Sequence, residues 1–215
     1  MKTLLALSAL CLVLTACSTA IAPNPSPRNT LSSFDVPTGT NAVRSFQTGA
    51  MSFREADIRQ LFDHYQEITK RTVLRAPNVP GNVKVSFRNE QPLNPIEVLR
   101  LLDTVFAQQG ITIVYKGDDV VKAVPSAEAT RETPPEIGLP AELLPDSDSY
   151  MQRTVKLRHI TADKAQGMVT PFSRLPNSVI AVKGGKVLIL RDYSSNIRRM
   201  LSVIERVDVP ATATK

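Results

Sequence analysis

ADIRQLFDHYQEITKRTVLRAPNVPGNVKVSF, residues 56–87, changes its hydrophobic period along its length and decides the fold of the first half of the chain. Its first part has apolar residues at helical spacing, which predicts a helix with one buried face: Ile58, Leu61, Phe62, Tyr65 and Ile68. RTVLRAP reads as a short strand stopped by Pro77, and PNVPG reads as a turn. NVKVSF alternates apolar and polar residues, which is typical of a strand with one face inward.

The flanking segments extend this pattern to a small α+β unit over residues 45–125. SFQTGAMSF predicts a strand, and the helix is expected to begin at READIRQ. QPLNPIEVLRLLDTVFAQQG predicts a second helix, with Asn94 as N-cap, Pro95 in the first turn, Glu97 completing a capping box and Gly110 as the stop. ITIVYKGDDVVKAV then predicts a hairpin, so the expected order is β-α-β-β-α-β-β.

Residues 151–209 predict a second unit with the order β-α-β-β-α. MQRTVKLRHI alternates as a strand does, and Thr161 can cap the helix that follows. The apolar face of that helix is predicted to contain Ala165, Met168, Val169 and Phe172. NSVIAV and KVLIL are strands joined at Gly184. Asp192 or Ser194 is expected to cap a last helix, whose inward residues are Ile197, Leu201, Ile204 and Val207.

Residues 126–150 separate these units and have a different composition. Five prolines lie between Pro125 and Pro145, and six acidic residues accompany one arginine. The segment has no periodic apolar face, so it predicts a stiffened acidic linker between two independently folding domains. Residues 210–215 are expected to be a tail.

The N-terminus resembles that of a bacterial lipoprotein. The apolar run from Leu4 is about a dozen residues long, which suits a signal peptide and is too short to span a bilayer. It ends in Leu14-Thr15-Ala16-Cys17, which resembles the lipobox. That resemblance implies a signal peptide at residues 1–16, acylation of Cys17, a tether over 17–44 and, from Ser18, outer-membrane sorting. The alternative is an ordinary signal peptide that contains a cysteine by chance.

Charge is distributed unevenly behind a formal net value of +6. Residues 151–215 contain 12 basic and 4 acidic side chains. This excess suits an acidic partner surface, an anionic membrane or nucleic acid, and export makes nucleic acid the least favoured of the three. The candidate interface residues are Lys183, Lys186, Arg198 and Arg199. The alternative interpretation is a solvated basic face.

The sequence offers no sign of catalysis. The two histidines, His64 and His159, lie far apart in the chain, and no catalytic triad, zinc-protease motif or phosphate-binding loop is present. A chain cleaved before Cys17 would retain a single cysteine, which excludes an internal disulfide. We therefore expect a binding protein with no enzyme activity, no cofactor and no metal.

Residues 56–87 resemble the first periplasmic N-domain of the secretins of type II secretion, whose fold is shared with the signalling domain of TonB-dependent receptors. Residues 154–208 resemble the next secretin N-domain, which has a KH-like (NolW-like) fold. The stretches that carry this resemblance are TVKLRHITADKA and NSVIAVKGGKVLILRDYSSNIRRMLSVIERVD. The GXXG loop with which nucleic-acid-binding KH domains clamp RNA is not found here.

The resemblance implies a lipid-anchored periplasmic ring or vestibule module of a type II-like secretion machine. Its implied partners are secretin subunits, the connector protein of the inner-membrane platform and secreted substrate, with at most weak self-association. The family's pore domain has no counterpart in the sequence, so a truncated secretin and a stand-alone lipoprotein both remain open. The other functional alternatives are a pilotin-like adaptor for a separate secretin and a TonB-receptor-like signalling module.

Overall fold

A computed structural model describes residues 52–210, which belong to one compact unit. The elements of its first half are β1 (Ser52–Asp57), α1 (Ile58–Thr69), β2 (Thr72–Arg75), β3 (Lys84–Arg88), α2 (Pro95–Gln108), β4 (Ile111–Lys116) and β5 (Val120–Pro125). β1 and β3 form a two-stranded antiparallel sheet. A second sheet has the order β2-β5-β4, with β2 parallel to β5 and β4 antiparallel to it.

The apolar faces of α1 and α2 meet in the core of the first half. All five residues predicted to face inward from α1 are buried. From α2, the residues Val98, Leu102 and Phe106 are fully buried against them. The Phe62 and Phe106 rings stack with their centroids 4.7 Å apart. This packing confirms the helical periodicity on which the prediction rests.

Side-chain caps determine where both helices begin. The predicted capping box of α2 is present: Asn94 Oδ1 accepts from the Glu97 N–H at 3.0 Å, and Glu97 Oε2 accepts from the Asn94 N–H at 2.8 Å. The predicted start of α1 is wrong, because Asp57 is the N-cap and accepts from the Arg59 N–H at 2.9 Å. Residues 54–56 stay in β1, where pairing with β3 outweighs their helix propensity.

The second half consists of β6 (Tyr150–Lys156), α3 (Ala162–Val169), β7 (Val179–Ala181), β8 (Val187–Tyr193) and α4 (Ser194–Val207). Its antiparallel sheet has the order β6-β8-β7. The turn between β7 and β8 needs a glycine, since Gly184 has φ of +69°. The chain is therefore a mixed α+β protein, as the sequence predicts.

Two details of the second half differ from the sequence prediction. Met168 is 37% exposed, because α3 presents only Ala162, Ala165 and Val169 to the core. The N-cap of α4 is Tyr193, which makes no side-chain cap. The buried Asp192 carboxylate instead accepts from the Asn196 side chain within α4 and from the Arg174 backbone N–H.

Residues 126–149 are a packed segment, which differs from the stiffened acidic linker that the sequence predicts over residues 126–150. They contain two 3-10 helices, Ser126–Arg131 and Ala141–Leu143. Four of their apolar residues are buried: Ala129, Ile137, Ala141 and Leu144. Near Glu136 the segment also pairs with the outer edge of β6, where the Ile137 N–H donates to the Gln152 carbonyl at 2.9 Å. Irregular backbone buries these residues without periodicity, so the sequence pattern did not reveal them. We call residues 126–149 the middle segment.

Candidate partner-binding surfaces

A junction of buried residues joins the two halves of the described chain. It includes residues of α2, β4, β5, the middle segment and the second half: Ala107, Val114, Val124, Ala129, Tyr150, Leu175 and Tyr193. The Tyr193 hydroxyl lies 2.7 Å from the Thr112 hydroxyl and 3.2 Å from that of Ser126. The Tyr150 hydroxyl donates to the Ala129 carbonyl at 2.9 Å. The two halves of the described chain are therefore packed against each other.

Arg174 reinforces this junction from the second half. Its guanidinium lies 5.2 Å from the centroid of the Tyr193 ring. Its Nη1 is 3.2 Å from Asp148 Oδ1, and its Nη2 donates to the Ala107 carbonyl at 3.4 Å. One side chain thus contacts α2, the middle segment and the end of β8.

Asp103 is a buried acid at the edge of the same junction. It is 5% exposed, and its Oδ2 accepts from the Ser149 hydroxyl at 2.6 Å. Burial raises the pKa of Asp103 to about 7, although the Ser149 hydrogen bond opposes the shift. Burial raises the pKa of the Tyr65 and Tyr115 hydroxyls, which lie 2.7 Å apart, and the nearby Asp103 charge adds to the shift.

The acidic residues of the middle segment are largely paired within the chain. Glu132 binds both Lys116, at 2.8 Å, and Lys122. Glu128 accepts from the Asn78 amide at 2.6 Å, Glu136 accepts from the Thr154 N–H at 3.2 Å, and Asp148 pairs with Arg174. Four of the six acidic residues therefore fasten the segment to the fold, while Glu142 and Asp146 are exposed.

The predicted interface residues do not form a single patch. Arg198 and Arg199 line an open groove of about 430 Å³ along α4. Lys183 and Lys186 lie in the β7–β8 turn and do not line that groove; the Lys186 ammonium donates to the Arg158 carbonyl. The remaining residues of the groove are Asp146, Ser195, Ser202, Val203 and Arg206.

Arg206 was missed by the sequence analysis, although its spacing could have revealed it. Arg198, Ser202 and Arg206 recur at intervals of four residues and so share one stripe of α4. We call the whole lined surface the α4 arginine groove.

A smaller apolar cavity of about 250 Å³ lies between α2 and the middle segment. Three side chains at its edge are exposed by more than a third: Ile96, Leu139 and Leu143. Asp103 and Ser149 contribute polar atoms to its wall. This cavity was not predicted from the sequence, because the middle segment supplies half of it.

The described residues show no arrangement of catalytic type. Within residues 52–210 no group of three or more His, Cys, Asp or Glu side chains could hold a metal ion. His64 Nδ1 lies 3.5 Å from Glu67 Oε2, while His159 is exposed. In the same range, no helix is both long and apolar enough to cross a bilayer. Cys17, the predicted lipidation site, the tether over 17–44 and the signal peptide lie outside the described residues.

Comparisons with known proteins show what this chain is similar to. Residues 51–123 match the family model described as the GspD-like N0 domain. Secretin XcpQ of Pseudomonas aeruginosa is 29% identical over 158 residues, which cover 74% of this chain and 22% of that protein. Secretin GspD 2 of Escherichia coli is 25% identical over 170 residues, which cover 78% of this chain and 24% of that protein.

A solved structure supports the same fold. The type II secretion system outer membrane complex of Klebsiella pneumoniae, with PulD, PulS and the PulC HR domain, is 21% identical with a TM-score of 0.58. The match covers 73% of this chain and 26% of that one. The chain thus spans about a quarter of the length of the relatives that it matches. The resemblance to the N-terminal domains of type II secretins, predicted from the sequence, is confirmed.

Proposed function

We propose that this chain, as a relative of the N-terminal region of type II secretins, is a non-enzymatic periplasmic component of a type II-like secretion machine. The observation that carries the proposal is the match of residues 51–123 to the GspD-like N0 domain, continued into the second half by the similarity to XcpQ. The surfaces agree with a binding role, since an arginine-lined groove and an apolar cavity are exposed on a well-packed body.

The partners we propose are other components of the secretion machine. In the Klebsiella complex, PulD occurs with PulS and the PulC HR domain. By analogy, the first half of this chain meets the connector protein of the inner-membrane platform or an arriving substrate. The second half, whose β-α-β-β-α order supports a KH-like classification, packs beside neighbouring subunits.

We also propose that Cys17 anchors the chain in the outer membrane, with both halves in the periplasm. The support is the lipobox-like Leu14-Thr15-Ala16-Cys17. Each buried methylene of an acyl chain contributes about 0.8 kcal/mol, so two or more chains make a lasting anchor. Cells fed a palmitate analogue should label the wild type and leave Cys17→Ser unlabelled; equal labelling of the two would refute the anchor.

The proposed function is tested by crosslinking in cells. The tagged full chain, photo-crosslinked through an amino acid placed at exposed Leu74 or at exposed Val182, should capture a secretion component. The tagged Cys17→Ser chain is the matched control, and it should capture less, because loss of the anchor lowers the effective concentration at the machine. Capture of no secretion component from either position in cells that express the machine would overturn the proposal.

A further inference from the structure

The α4 arginine groove contains three guanidinium groups on one helix face. Arg198, Arg199 and Arg206 are all exposed, and the first and last are two helical turns apart, about 12 Å along the axis. Arg206 lies in the last turn of α4, where a positive charge interacts favourably with the helix dipole. The folding of α4 therefore accounts in part for Arg206 and gives no reason for Arg198 and Arg199.

The chain supplies these arginines with almost no neutralising charge. Within residues 52–210, none of the three guanidinium groups takes part in an ion pair or a side-chain hydrogen bond. Asp146 is the single acid that lines the groove. The nearby Asp208 is occupied, because its carboxylate accepts from three backbone N–H groups, those of Arg158, His159 and Ile160. The groove thus keeps an uncompensated positive charge.

We propose that the α4 arginine groove binds an acidic segment of a protein partner. Carboxylates spaced about 12 Å apart would face Arg198 and Arg206, since guanidinium groups bind carboxylates in a bidentate manner. Ser195 and Ser202 offer hydroxyl donors between the charges, and Val203 gives an apolar contact in the same groove. The inference rests on the proposed function and deepens it by stating the chemistry of a partner of the second half.

Shape and charge favour this occupant over a membrane or a second copy of the chain. A membrane-binding helix presents a protruding face with large apolar side chains, whereas this groove is concave and Val203 is its one apolar lining residue. A second copy would have to offer its acidic middle segment. There, however, Glu128, Glu132, Glu136 and Asp148 are already bound within their own chain. Asp146 lines the groove itself, which leaves Glu142 as the one unpaired acid that this segment could offer.

Fluorescence anisotropy with the full chain in detergent tests the proposal. The probe is a labelled helical peptide with glutamates two turns apart, and the comparison peptide has glutamine at those positions. We expect the glutamate peptide to bind at least about tenfold more tightly, and added salt to weaken it. Arg198→Glu and Arg206→Glu should each abolish this preference, and Arg198→Lys should reduce it, since lysine lacks the bidentate geometry.

Lys183→Glu is the matched control, because it makes the same charge change in the same half but outside the groove. It should leave peptide affinity within about twofold of the wild type. Equal binding of the two peptides, or equal weakening by Lys183→Glu, would overturn the proposal. So would arginine-dependent binding to phosphatidylglycerol vesicles without peptide binding, or arginine-dependent self-association in ultracentrifugation.

A failure of the peptide-binding experiment can be distinguished from a failure of the proposed function. If the chain with the crosslinker at Leu74 captures a secretion component in cells but the wild-type chain shows no preference for the glutamate peptide, only the groove assignment is lost. If it prefers the glutamate peptide but captures no secretion component, the groove binds acidic segments and the type II role is wrong. Thermal unfolding monitored by circular dichroism verifies that each variant is folded, which is expected because the substituted residues are exposed.

Discussion

The core of the first half and the junction between the halves are both buried, yet they are built from different chemistry. The core consists of large apolar side chains at regular spacing on α1 and α2, such as Leu102 and Phe106. The junction combines aliphatic side chains with hydroxyl groups, such as those of Thr112 and Tyr193, which lie 81 residues apart in the chain. Burial of apolar area tolerates small displacements, whereas hydrogen bonds depend on distance and angle. The core should therefore set the overall stability, and the junction should set how rigidly the halves are joined.

The largest effect is expected from a cavity in the core. Leu102→Ala removes a fully buried side chain and should lower the free energy of unfolding by about 2–5 kcal/mol, as measured by urea denaturation. Leu143→Ala is the control, since Leu143 is 64% exposed and should change stability little. A Leu102→Ala loss no greater than that of Leu143→Ala would contradict the role of the core.

The same measurement decides between two views of the junction. The sequence predicts independently folding domains, so Leu102→Ala and Leu201→Ala would each destabilise only their own half. The packed junction predicts instead that both variants unfold in one shared transition. Limited proteolysis between Pro125 and Met151, leaving two resistant fragments, would favour the view derived from the sequence.

The next effect concerns Asp103, whose folded pKa of about 7 lies above its ordinary value of 3.8. A carboxyl group with a raised pKa stabilises the fold fully at low pH, and this contribution is lost as pH rises from about 4 to about 7. The free energy of unfolding should therefore fall by on the order of 2–4 kcal/mol across this pH range. Asp103→Asn keeps an acceptor for Ser149 and should flatten the pH dependence in that window.

Asp148 must be included in this test, since burial also raises its pKa. Asp148→Asn should therefore remove a smaller part of the same slope. If Asp103→Asn keeps the full wild-type slope between pH 4 and 7, Asp103 does not titrate as proposed.

The hydrogen bonds of the junction are tested by Tyr193→Phe. The variant keeps the buried ring but removes the hydroxyl that lies between Thr112 and Ser126, so it should cost about 1–3 kcal/mol. Tyr65→Phe is the matched change in the core, where it removes the hydrogen bond to Tyr115. Tyr193→Phe, but not Tyr65→Phe, should speed proteolysis of the middle segment. Equal cleavage rates for both would show that the hydroxyl does not hold the halves together.

The features that could be predicted from the sequence are those that depend on residues close together in the chain. The α1 face and the Asn94–Glu97 capping box depend on residues three or four positions apart, and the sequence displays them directly. The start of α1 could not be located in this way, because Ala56 is held in β1 by pairing with Val85. Long-range pairing of this kind leaves no periodic trace.

The candidate surfaces were less predictable for the same reason. Arg198 and Arg199 were identified because they are adjacent, but Lys183 and Lys186 lie elsewhere in the fold. The middle segment was read as a linker because its buried Ile137 and Leu144 follow no period. The partners of its acidic residues, such as Asn78, Lys116 and Arg174, lie elsewhere in the chain, so the sequence does not show the pairing.

The smallest effect, and the one of opposite sign, is expected at Glu132, which fastens the middle segment to β4 and β5. Hydrogen bonds from Lys116 and Lys122 hold the pKa of Glu132 below its ordinary value of 4.5. A carboxyl group with a lowered pKa stabilises the fold above its unfolded pKa, and this contribution is lost as pH falls through the folded value. Both lysine side chains are more than a third exposed, so Glu132→Gln should cost only about 0.5–1 kcal/mol at pH 7. At pH 3 the cost should shrink, whereas Asp103→Asn should alter the slope only above pH 4. Urea denaturation of both variants across pH 3–8 measures how the free-energy cost of each substitution depends on pH. If the two costs change with pH in the same direction, the two carboxyl groups do not occupy the environments described here.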